Sequence, residues 1–502
     1  MSLATWLAAA ARLRGDAPAL LTGERLDADY ATFACRAAGL GAAFAARFGV
    51  GPGDRVGLFL KNRTEYLEIL FGAWWAGAAV VPINAKLHPK EAAWILEHAG
   101  ARLVVADDPA LAPPCPALDI AEIRRLRDTE GAETPVPRGD QDLAWLFYTS
   151  GTTGRPKGVM LSHLNLMAMS LCYPVDVDPV APRDAALYAA PMSHGAGLYA
   201  LIHVRMGVRH VVPDSGGFDP ADILALAPRL GEVSFFAAPT MVRRLVDAAR
   251  AAGGDGGGIK TVVYGGGPMY VADIEEAVAA MGPRFVQIYG QGESPMTITA
   301  LSRALVADRA HPSWRARLGS VGVAQSCVGL AIAGPEGGFA APGEDGEILV
   351  RGPQVMTGYW RDPEATAETL RDGWLRTGDV GRLDADGFLT LTDRAKDVVI
   401  SGGTNIYPRE VEEAILEHHA VHECSVIGRP DPDWGETLVA FVTPRPGAAL
   451  DPADLDAHLL ARIARFKRPK AWRVVEALPK NAYGKILKTA LRARLAEEDP
   501  QP

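Results

Sequence analysis

Over the first 140 positions, short unbroken apolar runs alternate with longer amphipathic stretches. Arg55–Leu60 and residues 80–83 and 101–106 read as buried strands, and residues 65–76 as a helix between the first two. Strands that alternate with helices predict a parallel, doubly wound sheet. A second stretch of this kind covers residues 185–299, with strand candidates at 187–190, 233–238, 261–264 and 285–289. Each ends in glycine, proline, histidine or a carboxylate, which is where open α/β sheets place a ligand crevice. From residue 319 the pattern changes to short strands separated by Gly and Asp turns, the signature of a small antiparallel barrel or sheet. Charged residues cluster at 393–397, and beyond them Pro408 opens a helix whose Val411, Ala414 and Ile415 share one face. Strands at 424–427 and 438–442 complete a small α+β unit. The expected organisation is therefore α/β: a large domain over residues 1–395, including a barrel subdomain at about 319–392, followed by a small mobile domain over 396–502.

The densest chemistry lies in Tyr148-Thr149-Ser150-Gly151-Thr152-Thr153-Gly154-Arg155-Pro156-Lys157-Gly158, after the apolar run at 143–147. Glycines let backbone approach a ligand closely, and converging N–H groups with flanking hydroxyls suit a phosphate. A Walker A loop needs Gly-Lys-[Ser/Thr] opening a helix, and here Lys157 stands between Pro156 and Gly158. On its own the segment is either a phosphate loop or a polar turn.

Composition narrows the classes. The 502 residues exceed a single core, and 48% hydrophobic content excludes global disorder. A formal net charge of −9 without a dominant basic run disfavours nucleic acid as a partner. Five scattered cysteines without metal-type spacing fit a reduced, cytoplasmic compartment. Residues 1–11 suit an amphipathic helix better than a signal peptide, and the apolar run at 69–83 is broken by Gly72, Gly77 and Pro82. No membrane association is expected.

Taken in order, the segments 148–158, Pro191-Met192-Ser193-His194, Tyr264 to Pro268, Tyr289 to Glu293, Trp374 to Asp379, Asp393 to Asp397, and Pro479 to Lys485 resemble the adenylate-forming superfamily. That group comprises acyl-CoA synthetases, luciferases and peptide-synthetase adenylation domains, and the resemblance covers nearly the whole chain. It implies an ATP-dependent acyl-CoA synthetase that forms an acyl-adenylate and then a thioester, with ATP, Mg²⁺ and coenzyme A taking part. The obstacle is bringing one anion up to another, so cations and aligned N–H groups must neutralise charge.

The resemblance assigns roles residue by residue. Thr149, Ser150, Gly151, Thr152, Thr153, Gly154 and Lys157 would grip the β- and γ-phosphates, and Glu293 would hold Mg²⁺. Gly265, Gly266 and Gly267 would wall the adenine, with Gln287, Tyr289, Gly290 and Gln291 beside it. Asp379 would accept the ribose hydroxyls and Arg394 would contact ribose or phosphate. Lys485 would bridge carboxylate and α-phosphate. Lys396 would be the hinge on which the small domain swings, bringing Gly402 and Gly403 to the pantetheine tunnel. His194 would close the acyl pocket or guide the thiol, and core packing is its competing reading. Phe235, Phe236, Ala237, Ala238, Tyr264, Gly292 and Met296 would form the acyl pocket. They include no cation for a second carboxylate, which favours an apolar monocarboxylic acid, either a medium- or long-chain fatty acid or an aryl or short branched one. The basic cluster Arg462, Arg465, Lys467, Arg468 and Lys470 is either a CoA phosphate site or a solvated helix end.

Two positions depart from the family pattern. Gly292 stands where threonine is common, which would weaken one phosphate contact and enlarge the acyl pocket, and Asp393 replaces a glycine. Rival readings are an enzyme loading a carrier-protein thiol, disfavoured because no carrier domain follows residue 502, a luciferase-like oxygenase, and a non-catalytic nucleotide binder. A homodimer is left open.

Overall fold

A computed structural model gives the fold, and it describes residues 2–111, 114–149, 156–267, 269–334, 337–394, 397, 399–401, 404–431, 434–480 and 486–498. Two sheets form the large lobe. In a nine-stranded sheet, Phe285–Gln291, Ile259–Tyr264, Val233–Ala237, Ala185–Leu187, Arg209–Val212 and Pro18–Thr22 run parallel in that spatial order. In a seven-stranded sheet, Leu143–Thr149, Ala79–Asn84, Arg55–Leu60, Leu103–Ala106 and Ala117–Leu118 are parallel. Helices cover both sheets, so the strands are apolar on both faces. Val80, Val81 and Leu58 are fully buried, as is Trp74 on the Glu65–Trp75 helix.

Two hairpins alter the expected layout. Leu143–Thr149 pairs antiparallel with Lys157–Ser162, putting Thr149 opposite Lys157, so the glycine-rich segment closes a hairpin instead of leading into a helix. Phe285–Gln291 turns back through Gly292 and Glu293 into Ser294–Leu301, with Gln291 opposite Ser294. All eight residues of that return strand are buried. Their unbroken run lacks the alternation that marks a half-exposed strand. Near the edge of the seven-stranded sheet, Gly358–Tyr359 pairs with Lys157–Ser162.

A five-stranded antiparallel sheet follows, built on Gly346–Arg351 and Trp374–Leu383, with Leu389–Arg394 on the latter. The small lobe is organised by the long hairpin of Val421–Asp431 and Gly435–Pro444, against which the Pro408–Leu416 helix packs Val411 and Ile415. Cysteines distant in sequence meet once, where the Cys172 and Cys327 thiols lie 3.1 Å apart. Among the described residues no helix is long and apolar enough to cross a membrane.

The lobes touch through polar groups. Tyr270 donates its hydroxyl to buried Glu412 at 3.1 Å, and the Val271 amide donates to Glu413 at 3.3 Å. Arg243 pairs with Asp273 on its own lobe and with Glu423 across the interface, and Lys480 also holds Glu423. Burial raises the pKa of Glu413 from 4.5 to about 7, with Asp273 and Glu412 adding to the rise and Arg409 opposing it. A carboxyl raised by docking binds its proton more tightly in the docked form. Its contribution is therefore complete below about 4.5 and is lost as pH climbs through 7. Energy transfer between dyes on the two lobes should accordingly report weaker docking at pH 8 than at pH 5, and Glu413→Gln should flatten that dependence. An unchanged pH response in the variant would remove Glu413 from the interface argument.

Candidate active site

The carboxyl ends of the parallel strands and the two hairpin turns converge on one cleft. The Tyr359 hydroxyl donates to Glu293 Oε1 at 2.7 Å, and Lys157 Nζ lies 4.9 Å from the centre of the Tyr359 ring. A cation over the ring face and a carboxylate at its hydroxyl are thereby fixed on one side chain. Tyr359 was not singled out in the sequence. It sits on a two-residue strand, Gly358–Tyr359, whose pairing with Lys157–Ser162 has no local signature. Behind the hairpin, Tyr148 is anchored by a 2.8 Å hydrogen bond to His98 Nδ1, and Trp94 stacks on that imidazole.

On the other side of the cleft, Asp379 Oδ2 accepts from the Tyr289 hydroxyl and from Gln291 Nε2, both at 2.7 Å. Gln291 also donates to the Thr377 carbonyl at 2.9 Å. Two donors on one oxygen orient the buried carboxylate, and this selects Tyr289 and Gln291 as positioning residues for it. Arg394 stands opposite Asp379 in the ladder. Gln287 lies inside, its Oε1 accepting from Tyr264 at 3.1 Å.

The glycines at the strand ends have separate reasons. A Cβ at Gly265 would meet the Ile288 carbonyl at 2.6 Å, whereas Gly266 has φ +77° with open space around it. Gly267 makes ordinary contact with Pro239, and a Cβ at Gly290 would strike the Met296 backbone at 2.6 Å. Met296 itself has φ 58°, a conformation that costs a side-chain-bearing residue energy and clusters at functional sites. Its carbonyl is held by Gln325 at 3.0 Å.

His194 is half-buried, with Nδ1 3.0 Å from Ser193 Oγ and its ring 5.1 Å from Phe147. Loss of water lowers its pKa to about 4, so it is a neutral wall at physiological pH. The acyl assignments divide. Met296 and Phe236 meet at Gly195, whose Cβ would be 2.8 Å from the thioether and 3.5 Å from the ring. Phe235 touches a cavity beyond them. Tyr264 instead packs with Ala237, Met269 and Phe285 under the helices, so it is a corrected assignment: its face of the strand is the core-facing one. Ala238 precedes the Pro239–Ala251 helix as its N-cap.

Gly292 is also corrected. A Cβ there would lie 2.4 Å from Thr149 Cγ2 and 3.1 Å from Phe147, so the space a threonine would take is filled by Thr149. The substitution therefore enlarges no acyl pocket. Its neighbour Thr149 ends the first strand of the glycine-rich hairpin.

Ser150, Gly151, Thr152, Thr153, Gly154, Lys396, Gly402, Gly403 and Lys485 lie outside the described residues. In the basic cluster, Arg462 pairs with Glu417 at 3.0 Å, Lys467 with Glu410 at 2.6 Å and Arg468 with Asp456, which argues against a free phosphate site there.

The sequence profile described as AMP-binding enzyme matches residues 7–360, and that of the AMP-binding enzyme C-terminal domain matches residues 410–485. The chain belongs to the AMP-binding enzyme family. Within the adenylate-forming superfamily it falls in the acyl-CoA synthetase branch. It is 40% identical to a feruloyl-CoA synthase of an Amycolatopsis species over 451 residues, 89% of this chain and 90% of that protein. It is 39% identical to a long-chain-fatty-acid–CoA ligase of Bacillus subtilis over 387 residues, 76% of this chain and 66% of that one. Its fold matches the crystal structure of ATP-bound MatB from Rhodopseudomonas palustris with a TM-score of 0.88 at 31% identity, covering 99% of this chain and 100% of that one. In this AMP-binding enzyme, Tyr359 and Asp379 hold the two ends of the turn segment 291–293, through Glu293 and Gln291 respectively.

The filled space at Gly292 makes a test. Gly292→Thr should destabilise the protein by about 1–3 kcal/mol through overpacking and raise the KM for ATP. Thr149→Ala combined with it should restore most of the stability. Denaturant unfolding and ATP kinetics on the single and double variants read this directly, and a single variant as stable as the parent would refute the contact.

Proposed function

We propose that this AMP-binding enzyme activates a compact aryl carboxylic acid as its adenylate in the cleft described above and passes the acyl group to coenzyme A. The observation that carries the reading is the placement of Lys157 and Glu293 on Tyr359, across a cleft from the oriented carboxylate of Asp379. A carboxylate oxygen of the acid attacks the α-phosphorus of ATP and pyrophosphate leaves. The CoA sulfur then attacks the acyl carbon and AMP leaves.

Lys157 and the hairpin N–H groups hold the β- and γ-phosphates, and Asp379 takes the ribose hydroxyls. Gly265 to Gly267 form the wall on which adenine lies. Lys485 supplies a compact positive charge between the acid and the α-phosphate. Glu293 suits Mg²⁺, because that ion is usually held by one or two carboxylates together with substrate phosphates, and a glutamate is a hard oxygen donor. When bound, the ion neutralises charge on the phosphates. Neutral His194 closes the acyl side without adding charge near the reacting carboxylate. Lys396 is the hinge, and Gly402 and Gly403 line the thiol's path after it turns. A cytoplasmic setting follows from these substrates and from the unpaired cysteines.

The aryl reading is favoured by rings around the acyl end: Phe236, Tyr199 and Tyr173 lie in successive contact, with centroids 6.4 Å and 4.6 Å apart. The relative named for feruloyl-CoA supports it. A fatty acid is the second reading, supported by the Bacillus relative's name. CoA-dependent AMP formation across a panel of aryl and alkyl acids decides between them, and a panel on which only long alkyl acids react would reverse the order.

Lys485→Ala should abolish acid-dependent exchange of labelled pyrophosphate into ATP, a loss of at least about a hundredfold for an electrostatic group of this kind. Thioester formation from supplied acyl-adenylate should survive. Equal loss of both half-reactions would remove Lys485 from the first step.

A further inference from the structure

The helix Gly195–Met206 leads from His194, at the edge of the cleft, inward along the acyl side. Gly195 abuts Met296 and Phe236 at its outer end. Ala196, Tyr199, Ala200 and His203 follow on one face and line a small space of about 20 Å³ together with Phe236 and Ser234. That space is the size of one water or one hydroxyl group. From Gly195 to His203 the helix advances about 12 Å, the span of an aryl ring on a short acid arm and well short of a long alkyl chain.

The inner end of this path is polar. Tyr199 is 6% exposed, and its hydroxyl has no hydrogen-bond partner; Ser234 is 3% exposed, with its Oγ likewise unpartnered. Thr261, paired with Ser234 in the adjoining strand, carries a third unpartnered buried hydroxyl. Buried polar groups are almost always satisfied, so such a group is explained by a partner that arrives with a ligand or a water. His203 is 4% exposed, and its Nδ1 lies 2.7 Å from the Tyr199 carbonyl. A carbonyl can only accept, so Nδ1 carries the proton and Nε2 is an acceptor. Burial lowers the pKa of this imidazole, which keeps it in that neutral form, although Asp184 and Asp178 pull the other way. Those carboxylates are themselves held by Lys260, at 2.7 Å from Asp184 and 3.2 Å from Asp178. An alkyl terminus would leave the Tyr199 and Ser234 hydroxyls, which line this space, unsatisfied.

We propose that the acid carries a hydroxyl at its far end, and that His203 Nε2 accepts its proton's hydrogen bond while Ser234 Oγ, assisted by Tyr199, donates to its oxygen. The proposal rests on the acid–CoA ligase reading and assigns three specificity residues to it. The ring lies along Ala196 and Ala200, with unbranched Met296 turning aside to admit it. No proton is transferred: the hydroxyl is recognised and not consumed.

The test compares para-hydroxycinnamic, cinnamic and hexadecanoic acids in CoA-dependent AMP formation by the full chain. The hydroxylated acid should exceed cinnamic acid in kcat/KM by about 10- to 100-fold, because without the hydroxyl the buried groups stay unpaired. Ser234→Ala, a small change that keeps the strand, should cut that ratio several-fold. His203→Phe should bring it near one by lowering the hydroxylated acid while sparing or raising cinnamic acid. A merely structural role would lower both acids in proportion, and that result would overturn the assignment. So would a parent enzyme that treats the two aryl acids alike or uses only hexadecanoic acid. Calorimetric binding of the two aryl acids to each variant gives the same comparison independently of turnover. AMP release from none of the acids would instead overturn the ligase reading itself, and this proposal with it.

Discussion

The cleft depends on one aromatic side chain shared by two opposite charges. Tyr359 donates to Glu293, which sits in a turn of the nine-stranded sheet, and its ring face meets Lys157, which opens a strand of the seven-stranded sheet. Each sheet would otherwise end in a separate polar edge. Through this contact the carboxylate and the ammonium are held close without forming a direct ion pair, which would neutralise both before a substrate came. The result is a cation on the ring face and a hard oxygen donor at the hydroxyl, fixed by one side chain. Asp379 is likewise oriented by neutral donors, the Tyr289 hydroxyl and the Gln291 amide.

Legibility in the sequence followed the strength of the local signal. Arg55–Leu60 was readable to the residue, because an unbroken apolar run between polar turns leaves little choice. The Pro408–Leu416 helix was readable from its first-turn proline and its 3.6-residue spacing. Ser294–Leu301 was not, because Pro295 reads as a strand breaker and the polar Thr297 and Thr299 are buried only by the fold. The glycine segment was recognisable as special, but the return strand at Lys157 was not, because its pairing with Leu143–Thr149 leaves no local signature beyond a loop or turn. Tyr359 could not have been found locally. Its importance arises from a pairing between residues about two hundred positions apart, as the Thr357 contact with Met160 in the same ladder illustrates.

Gly292 shows why a substitution read in isolation misleads. Against a family pattern it looks like a deletion of side-chain volume and hence a larger pocket. In the structure the volume is held by the Thr149 methyl and the Phe147 ring, so the absent side chain leaves no space. The acyl end shows the converse. Its residues look apolar in the sequence, and the strand residue Ser234 and the helix residue His203 gave no signal there. Only the fold brings them to one small space with their polar atoms inside.

The polar character of the lobe interface completes this account. A lobe held by a large apolar surface would dock too firmly to serve two successive steps. Here one aromatic ring, Tyr270, packs into the small lobe's apolar cluster, and polar contacts surround it: Tyr270 with Glu412, the Val271 amide with Glu413, and Arg243 with Glu423. Water can replace each of these when the lobes part, so little is lost on separation. Glu423 is held from both sides, by Arg243 of the large lobe and Lys480 of the small one, and so keeps a partner after undocking. An interface whose charge keeps a partner when the contact opens costs less to separate than one that leaves it unpaired.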